Sequence, residues 1–145
     1  MNRADLARSL GKPGALLMLL ALLSGLFIAA VMTGRVDADV HSVVAAHLNA
    51  FLGSLWIFAM AWSLPMLALS DTQLKVMTVG VVISNYSNLL VTVFKSLLKV
   101  SGVDWTSEGR NNLVFGLLSL LVVVPSVTAG MFWVIGFFKK QPVSP

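Results

Sequence analysis

The chain has 145 residues, of which 57% are hydrophobic and 11% charged, and its mean hydropathy is +0.89. A water-soluble domain is nearer half apolar and a quarter charged, so these figures exclude an ordinary soluble globule and point to the bilayer. The net charge of +4 is spread over segment ends rather than gathered in a patch, which argues against nucleic acid, and the lack of cysteine excludes disulfides, thiolate catalysis and cysteine-ligated clusters.

Residues 1–12 carry Arg3, Arg8 and Lys12 and read as a short interfacial helix or a frayed tail. Four apolar stretches follow, at about 13–33, 43–69, 73–98 and 112–138. Each reaches the roughly 20 residues that a helix needs to cross about 30 Å of hydrocarbon. The fold class is therefore an all-α membrane protein, a single domain over residues 1–145 built as a four-helix transmembrane bundle. The first stretch is longer than a signal-peptide core and is read as a retained span. A chain of this size buries limited surface alone, so self-association is expected.

The turn after the first span holds Asp37, Asp39 and His41. The second carries His47, Asn49, Gly53 and Ser54 in its first half and Pro65 near its end, where proline kinks or closes a helix. Ser70 or Asp71 is placed to cap the third span. The longest polar loop covers 101–110, with Trp105 at the interface. The fourth span contains Pro125 and Trp133 and stops at Lys139–Lys140; the tail through Pro145 is expected to be disordered. With Lys95 left out as intramembrane, the basic residues at the span ends divide six (Arg3, Arg8, Lys12, Lys75, Lys139, Lys140) to three (Arg35, Lys99, Arg110). The larger group lies on the side of both termini, placing those termini in the cytoplasm, as for a protein of a bacterial-type inner membrane.

The third span holds the most unusual chemistry. Ser84, Asn85, Tyr86, Ser87, Asn88, Thr92 and Lys95 all lie within it. Bare amides and an ammonium are expensive in hydrocarbon and persist where they face protein, a ligand or a water-filled cavity. On a helical wheel Asn85, Asn88, Thr92, Lys95, Ser96 and Lys99 form one stripe. Ser84 and Ser87 suit ordinary helix–helix hydrogen bonding, and Asn85 and Asn88 suit a ligand-facing or cavity-facing role. Lys95 is placed to snorkel towards the nearby interface. Tyr86 lies about 100° off the stripe, facing a neighbouring subunit or a groove.

His41 fits a hydrated loop histidine, with Asp37 and Asp39 beside it as a possible weak surface metal site. His47 fits that plain reading less well, because it lies inside the second span. The two histidines point about 240° apart on a helix, so they cannot both ligate one ion from one face. A one-histidine haem site with an open sixth position is compatible with the sequence, and an open iron acts as a Lewis acid on a substrate oxygen. No carboxylate lies within a span, and no phosphate loop, serine triad or His-Glu zinc pattern is present.

Three stretches together carry a resemblance: His47-Leu48-Asn49-Ala50-Phe51-Leu52-Gly53-Ser54, then Trp62 through Ser70, and Asn85-Tyr86-Ser87-Asn88. In their order, in the length and in the four spans, the chain resembles the small membrane family of hydroxylaminobenzene mutases and styrene oxide isomerases. The resemblance implies a homotrimer with haem b between subunits, acting on a small aromatic substrate. It implies that His47 ligates the haem iron and that Asn88 is the site asparagine. On the isomerase or mutase reading, Asn85, Asn88 and Thr92 orient the substrate and Tyr86 lines the pocket. The reaction implied is an aryl epoxide to aldehyde isomerisation or an aryl hydroxylamine to aminophenol rearrangement. The chain departs from the isomerase pattern at Gly53-Ser54, where that pattern has Asn-Gly, at Ser84 in place of aspartate, and at Thr92 in place of tyrosine. The Tyr86-x-Asn88 spacing is nearer the mutase branch, and Asn49 is a candidate to supply the missing amide. Two other readings compete: a non-enzymatic haem-binding membrane subunit, and a small oligomeric transporter or channel with the polar stripe lining its path.

Overall fold

A computed structural model describes residues 2–140. The tail expected to be disordered, 141–145, lies outside the described residues. The chain forms four long helices: α1 (Arg3–Met32), α2 (Val40–Ser63), α3 (Asp71–Leu98) and α4 (Gly109–Phe138). All four are long and apolar enough to span a membrane, as the hydropathy pattern predicts.

The largest correction concerns the N-terminus. Residues before 13 are neither a separate interfacial helix nor a frayed tail: α1 is continuous from Arg3 and carries Pro13 inside it. The Arg3 guanidinium explains what holds this extension. It donates to the carbonyls of Leu64 (2.9 Å), Leu67 and Leu69 (3.3 Å). Those carbonyls belong to the segment where α2 ends in a short 3-10 turn, Leu64–Met66, at Pro65. Proline closes the helix as expected, with the 3-10 turn ending three residues before the end of the apolar stretch, and the freed carbonyls meet a charged donor. The same segment is pinned from the other side, where the Ala68 N–H donates to the Gly136 carbonyl at 2.8 Å.

Helix α2 starts at Val40, because the Asp39 side chain accepts from the Ser42 N–H at 2.9 Å and caps it. Ser70 caps α3 through a capping box with Gln73. Helix α3 ends at Lys99, in the left-handed region with φ 54°. Inside α4, Leu118–Val123 form a π turn immediately before Pro125, a widening the apolar pattern did not reveal.

Packing sets where a site can lie. Helix α2 packs on α1 and α3, and α4 packs chiefly on α3. The core is apolar and shared among the helices, with Leu17, Ile57, Met60, Leu74, Met77 and Val81 fully buried. Glycines allow close approach at two crossings. A Cβ on Gly80 would meet the Pro125 carbonyl oxygen at 3.2 Å, and one on Gly136 would meet Leu67 and Leu69 at 3.0 Å. At the end carrying Pro65, α4 also reaches α2, where the Trp133 indole N–H donates to the Ser63 hydroxyl at 2.8 Å.

Candidate functional site

His47 sits on the α1 side of α2. Its Nδ1 lies 2.8 Å from the Ala21 carbonyl oxygen and 3.1 Å from the Ser24 hydroxyl oxygen. A carbonyl oxygen only accepts, so Nδ1 carries the proton and donates. The Ser24 hydroxyl gives its own hydrogen to the same Ala21 carbonyl at 2.6 Å, leaving its oxygen free to accept from the imidazole. The lone pair is thereby fixed on Nε2. Nε2 makes no hydrogen bond among the described residues, and no buried side-chain nitrogen or oxygen there is left unpaired. The Nε2 lone pair is therefore at an accessible surface. This is how a protein presents a histidine to a metal: one ring nitrogen orients the ring and the other is left to ligate. Gly25 lies beside the ring, where a Cβ would reach the His47 Cε1 at 4.0 Å, an ordinary contact distance.

A second polar group lies across α2. The Asn88 Oδ1 accepts from the Thr92 hydroxyl at 3.1 Å and from the Asn49 amide at 3.4 Å. Two donors on that oxygen orient the carboxamide and leave its NH2 as the free donor. On the α3 wheel Asn88 lies between Asn85, about 60° to one side, and Gly80, about 80° to the other. Asn85 packs on α2 and Gly80 on α4. Asn88 is thus aimed between α2 and α4, which the packing leaves apart at this level.

The other predicted site residues go elsewhere. Asn85 is buried in the α2–α3 crossing, where its amide donates to the Val81 carbonyl at 2.7 Å. Its Oδ1 fills the space over Gly53, only 2.3 Å from where a Cβ would be. Tyr86 faces α1 of its own chain, donating its hydroxyl to the Pro13 carbonyl at 2.9 Å, and does not meet Asn88. Ser84 donates to the Val81 carbonyl within α3. The Lys95 ammonium reaches out of the span to the Ser101 carbonyl at 2.9 Å, as snorkelling predicts. The suggested surface metal site does not assemble: Asp39 caps α2, Asp37 pairs with Lys99, and no group of three metal-ligating side chains occurs among the described residues.

His47 and Asn49 are two residues apart on one helix and so point about 160° from each other. The structure brings Asn49, Asn88 and Thr92 together and sets His47 apart from them on the other side of α2. The Ala21 carbonyl and Ser24 as partners of His47 escaped the sequence reading. Its only trace there was a hydroxyl in an otherwise apolar first span.

A search of curated proteins and of solved structures finds no match to this chain. The family model described as styrene oxide isomerase matches residues 6–139. That match covers all four spans, including His47, the Asn49–Asn88–Thr92 group and the pinned turn after Pro65, and the chain accordingly belongs to the styrene oxide isomerase family.

Proposed function

We propose that the protein is a haem-dependent membrane isomerase that converts a small aryl epoxide to an aldehyde. Family membership supports an isomerase acting on a small aromatic substrate. The observation that carries the finer reading is the hydrogen-bond polarity at His47, which leaves the Nε2 lone pair accessible. The residues present fit a haem iron, with His47 as its ligand through Nε2 while Nδ1 is held by the Ala21 carbonyl. Bound there, haem would supply Lewis acidity towards a substrate oxygen.

The chain's own residues have three tasks. Asn49 and Thr92 hold Asn88 so that its NH2 donates to the substrate oxygen as negative charge builds there. The apolar flanks of α2, with Leu48 and Leu52 exposed within about 100° of Asn49 on the helical wheel, bind an aromatic ring. The same apolar surroundings exclude water. The opened C–O bond therefore resolves by a 1,2-hydride shift to a C=O rather than by hydration. This rearrangement is redox-neutral and needs neither an intramembrane carboxylate nor a thiol.

Because His47 and Asn88 face opposite sides of α2, the reading requires association: the His47 face of one protomer meets the Asn88 side of the next, as in the homotrimer that the resemblance implies. The concentration of Arg3, Arg8, Lys12, Lys75, Lys139 and Lys140 at one end supports cytoplasmic termini in an inner membrane. The Tyr86-x-Asn88 spacing favours a second substrate, an aryl hydroxylamine. The engagement of Tyr86 with Pro13 takes its hydroxyl away from Asn88, which leaves the epoxide as the preferred reading.

The test is turnover of styrene oxide to phenylacetaldehyde by the protein purified in detergent. Removal of one preorganised donor lowers kcat by about 100-fold or more, so Asn88→Ala should fall by that order while the protein stays folded. Wild-type protein that leaves aryl epoxides unchanged, or Asn88→Ala with full activity, would overturn the assignment.

A further inference from the structure

Two apolar grooves flank the first half of α3 and share a single cation. The groove on the α1 side, about 430 Å³, is lined by Leu6, Leu10, Pro13, Val82 and Ile83, with Lys75 and Val79. The groove on the α4 side, about 470 Å³, is lined by Val76, Gly80, Val124 and Pro125, again with Lys75 and Val79. Lys75 and Val79 thus form a ridge with a groove on each side. Lys75 lies one turn inside α3, about 6 Å from its start, and Ile83 lies about 12 Å deeper. This is the layout of a headgroup position above two chain positions.

The charge agrees. The Lys75 ammonium, the one cation that lines these grooves, has no hydrogen-bond or ion-pair partner among the described residues, whereas Arg3, Lys95 and Lys99 are engaged. Arg8, Lys12, Lys139 and Lys140 lie at the same end of the bundle, against the carboxylates Asp5 and Asp71. Ser9 and Thr72 add hydroxyls to the linings of the two grooves.

We propose that Lys75 is the phosphate anchor of a specific site for a two-chain anionic phospholipid, which straddles α3 with one acyl chain in each groove. A single-chain lipid fills only one groove, and a zwitterionic lipid offers the ammonium no net charge. The site is separate from His47 and Asn88 and stands whether or not the isomerase reading does.

The test is native mass spectrometry of the detergent-purified protein titrated with dioleoyl phosphatidylglycerol, dioleoyl phosphatidylcholine and oleoyl lysophosphatidylglycerol. A lysine near an anionic headgroup contributes about a fivefold preference. Wild type should therefore bind phosphatidylglycerol about fivefold more tightly than Lys75→Gln does, with phosphatidylcholine binding equal in the two. Lys75 is exposed, so the variant keeps its fold. Lysophosphatidylglycerol should bind more weakly than the two-chain lipid. Equal phosphatidylglycerol binding by wild type and Lys75→Gln would overturn the proposal. So would lysophosphatidylglycerol binding as tightly as its two-chain parent, or an oligomer that retains no lipid because a second copy fills the grooves.

Discussion

Gly53→Ala is the substitution whose sign the structure fixes most clearly. In an open helix interior, replacing glycine with alanine stabilises by about 0.5–1 kcal/mol, because the backbone loses less freedom on folding. At Gly53 the new methyl would sit 2.3 Å from the Asn85 Oδ1, 2.8 Å from its Cγ and 3.1 Å from its Cβ. Asn85 cannot simply swing away. It is buried, and its amide is tied to the Val81 carbonyl at 2.7 Å. Overpacking of this kind costs about 1–3 kcal/mol, and the disturbed buried hydrogen bond adds about 1 kcal/mol. The expected net effect is a loss of about 1–3 kcal/mol after the helix-propensity gain is offset. Asn85→Ala removes both colliding atoms nearest the methyl. The double variant should therefore recover at least about 1 kcal/mol relative to the sum of the single changes, as expected for residues in contact. Equilibrium unfolding in a fixed detergent, followed by far-ultraviolet circular dichroism, measures all three variants. A stabilised Gly53→Ala, or single effects that add within about 0.5 kcal/mol, would refute the claim that Asn85 occupies the space over Gly53.

Three other outcomes follow from named contacts. Arg3→Gln should destabilise the protein by about 1.5–3 kcal/mol, the range for a charged hydrogen bond. Arg3→Lys should recover less than half of that in the same unfolding assay, because an ammonium cannot span carbonyls that a guanidinium fork reaches together. The Ser42 hydrogen bonds, side chain first and then backbone, hold the Asp39 carboxyl below its ordinary value of 3.8. An acid depressed in the folded state stabilises above its unfolded pKa and loses that contribution as pH falls through the folded value. The difference in stability between wild type and Asp39→Ala should thus be constant from pH 7 to 5 and shrink below about pH 4, whereas Asp39→Asn, which also caps helices, should stay close to wild type at pH 7. Ser24→Ala leaves the Ala21 carbonyl as the sole acceptor for His47, so nitrogen-15 NMR of the imidazole should still show the Nδ1 proton; a switch to the Nε2 tautomer would contradict the reading of that contact.

The spans were legible because hydropathy and length decide them together, and Ser70 as a cap and Lys95 as a snorkelling cation follow from position alone. The continuity of α1 through Pro13 was not legible. It depends on Arg3 finding carbonyls more than sixty residues away. The π turn in α4 likewise answers to Pro125 and to packing on Gly80, which no apolar pattern records. In the site, the sequence located Asn88 and Asn49 but not their mutual hydrogen bond. The separation of His47 from them was present in the spacing of His47 and Asn49, since two steps on a helix nearly reverse direction. Gly53 was equally a signal: a glycine facing an asparagine on the next helix marks where that side chain goes.

The central claim is that His47 offers an accessible lone pair to a haem iron. The absorption spectrum of the purified oligomer tests it most directly. The account predicts a Soret band in wild type that is lost in a folded His47→Ala variant and retained in His41→Ala. A wild-type protein that stays colourless after haem is supplied, or a Soret band unchanged by His47→Ala, would contradict it.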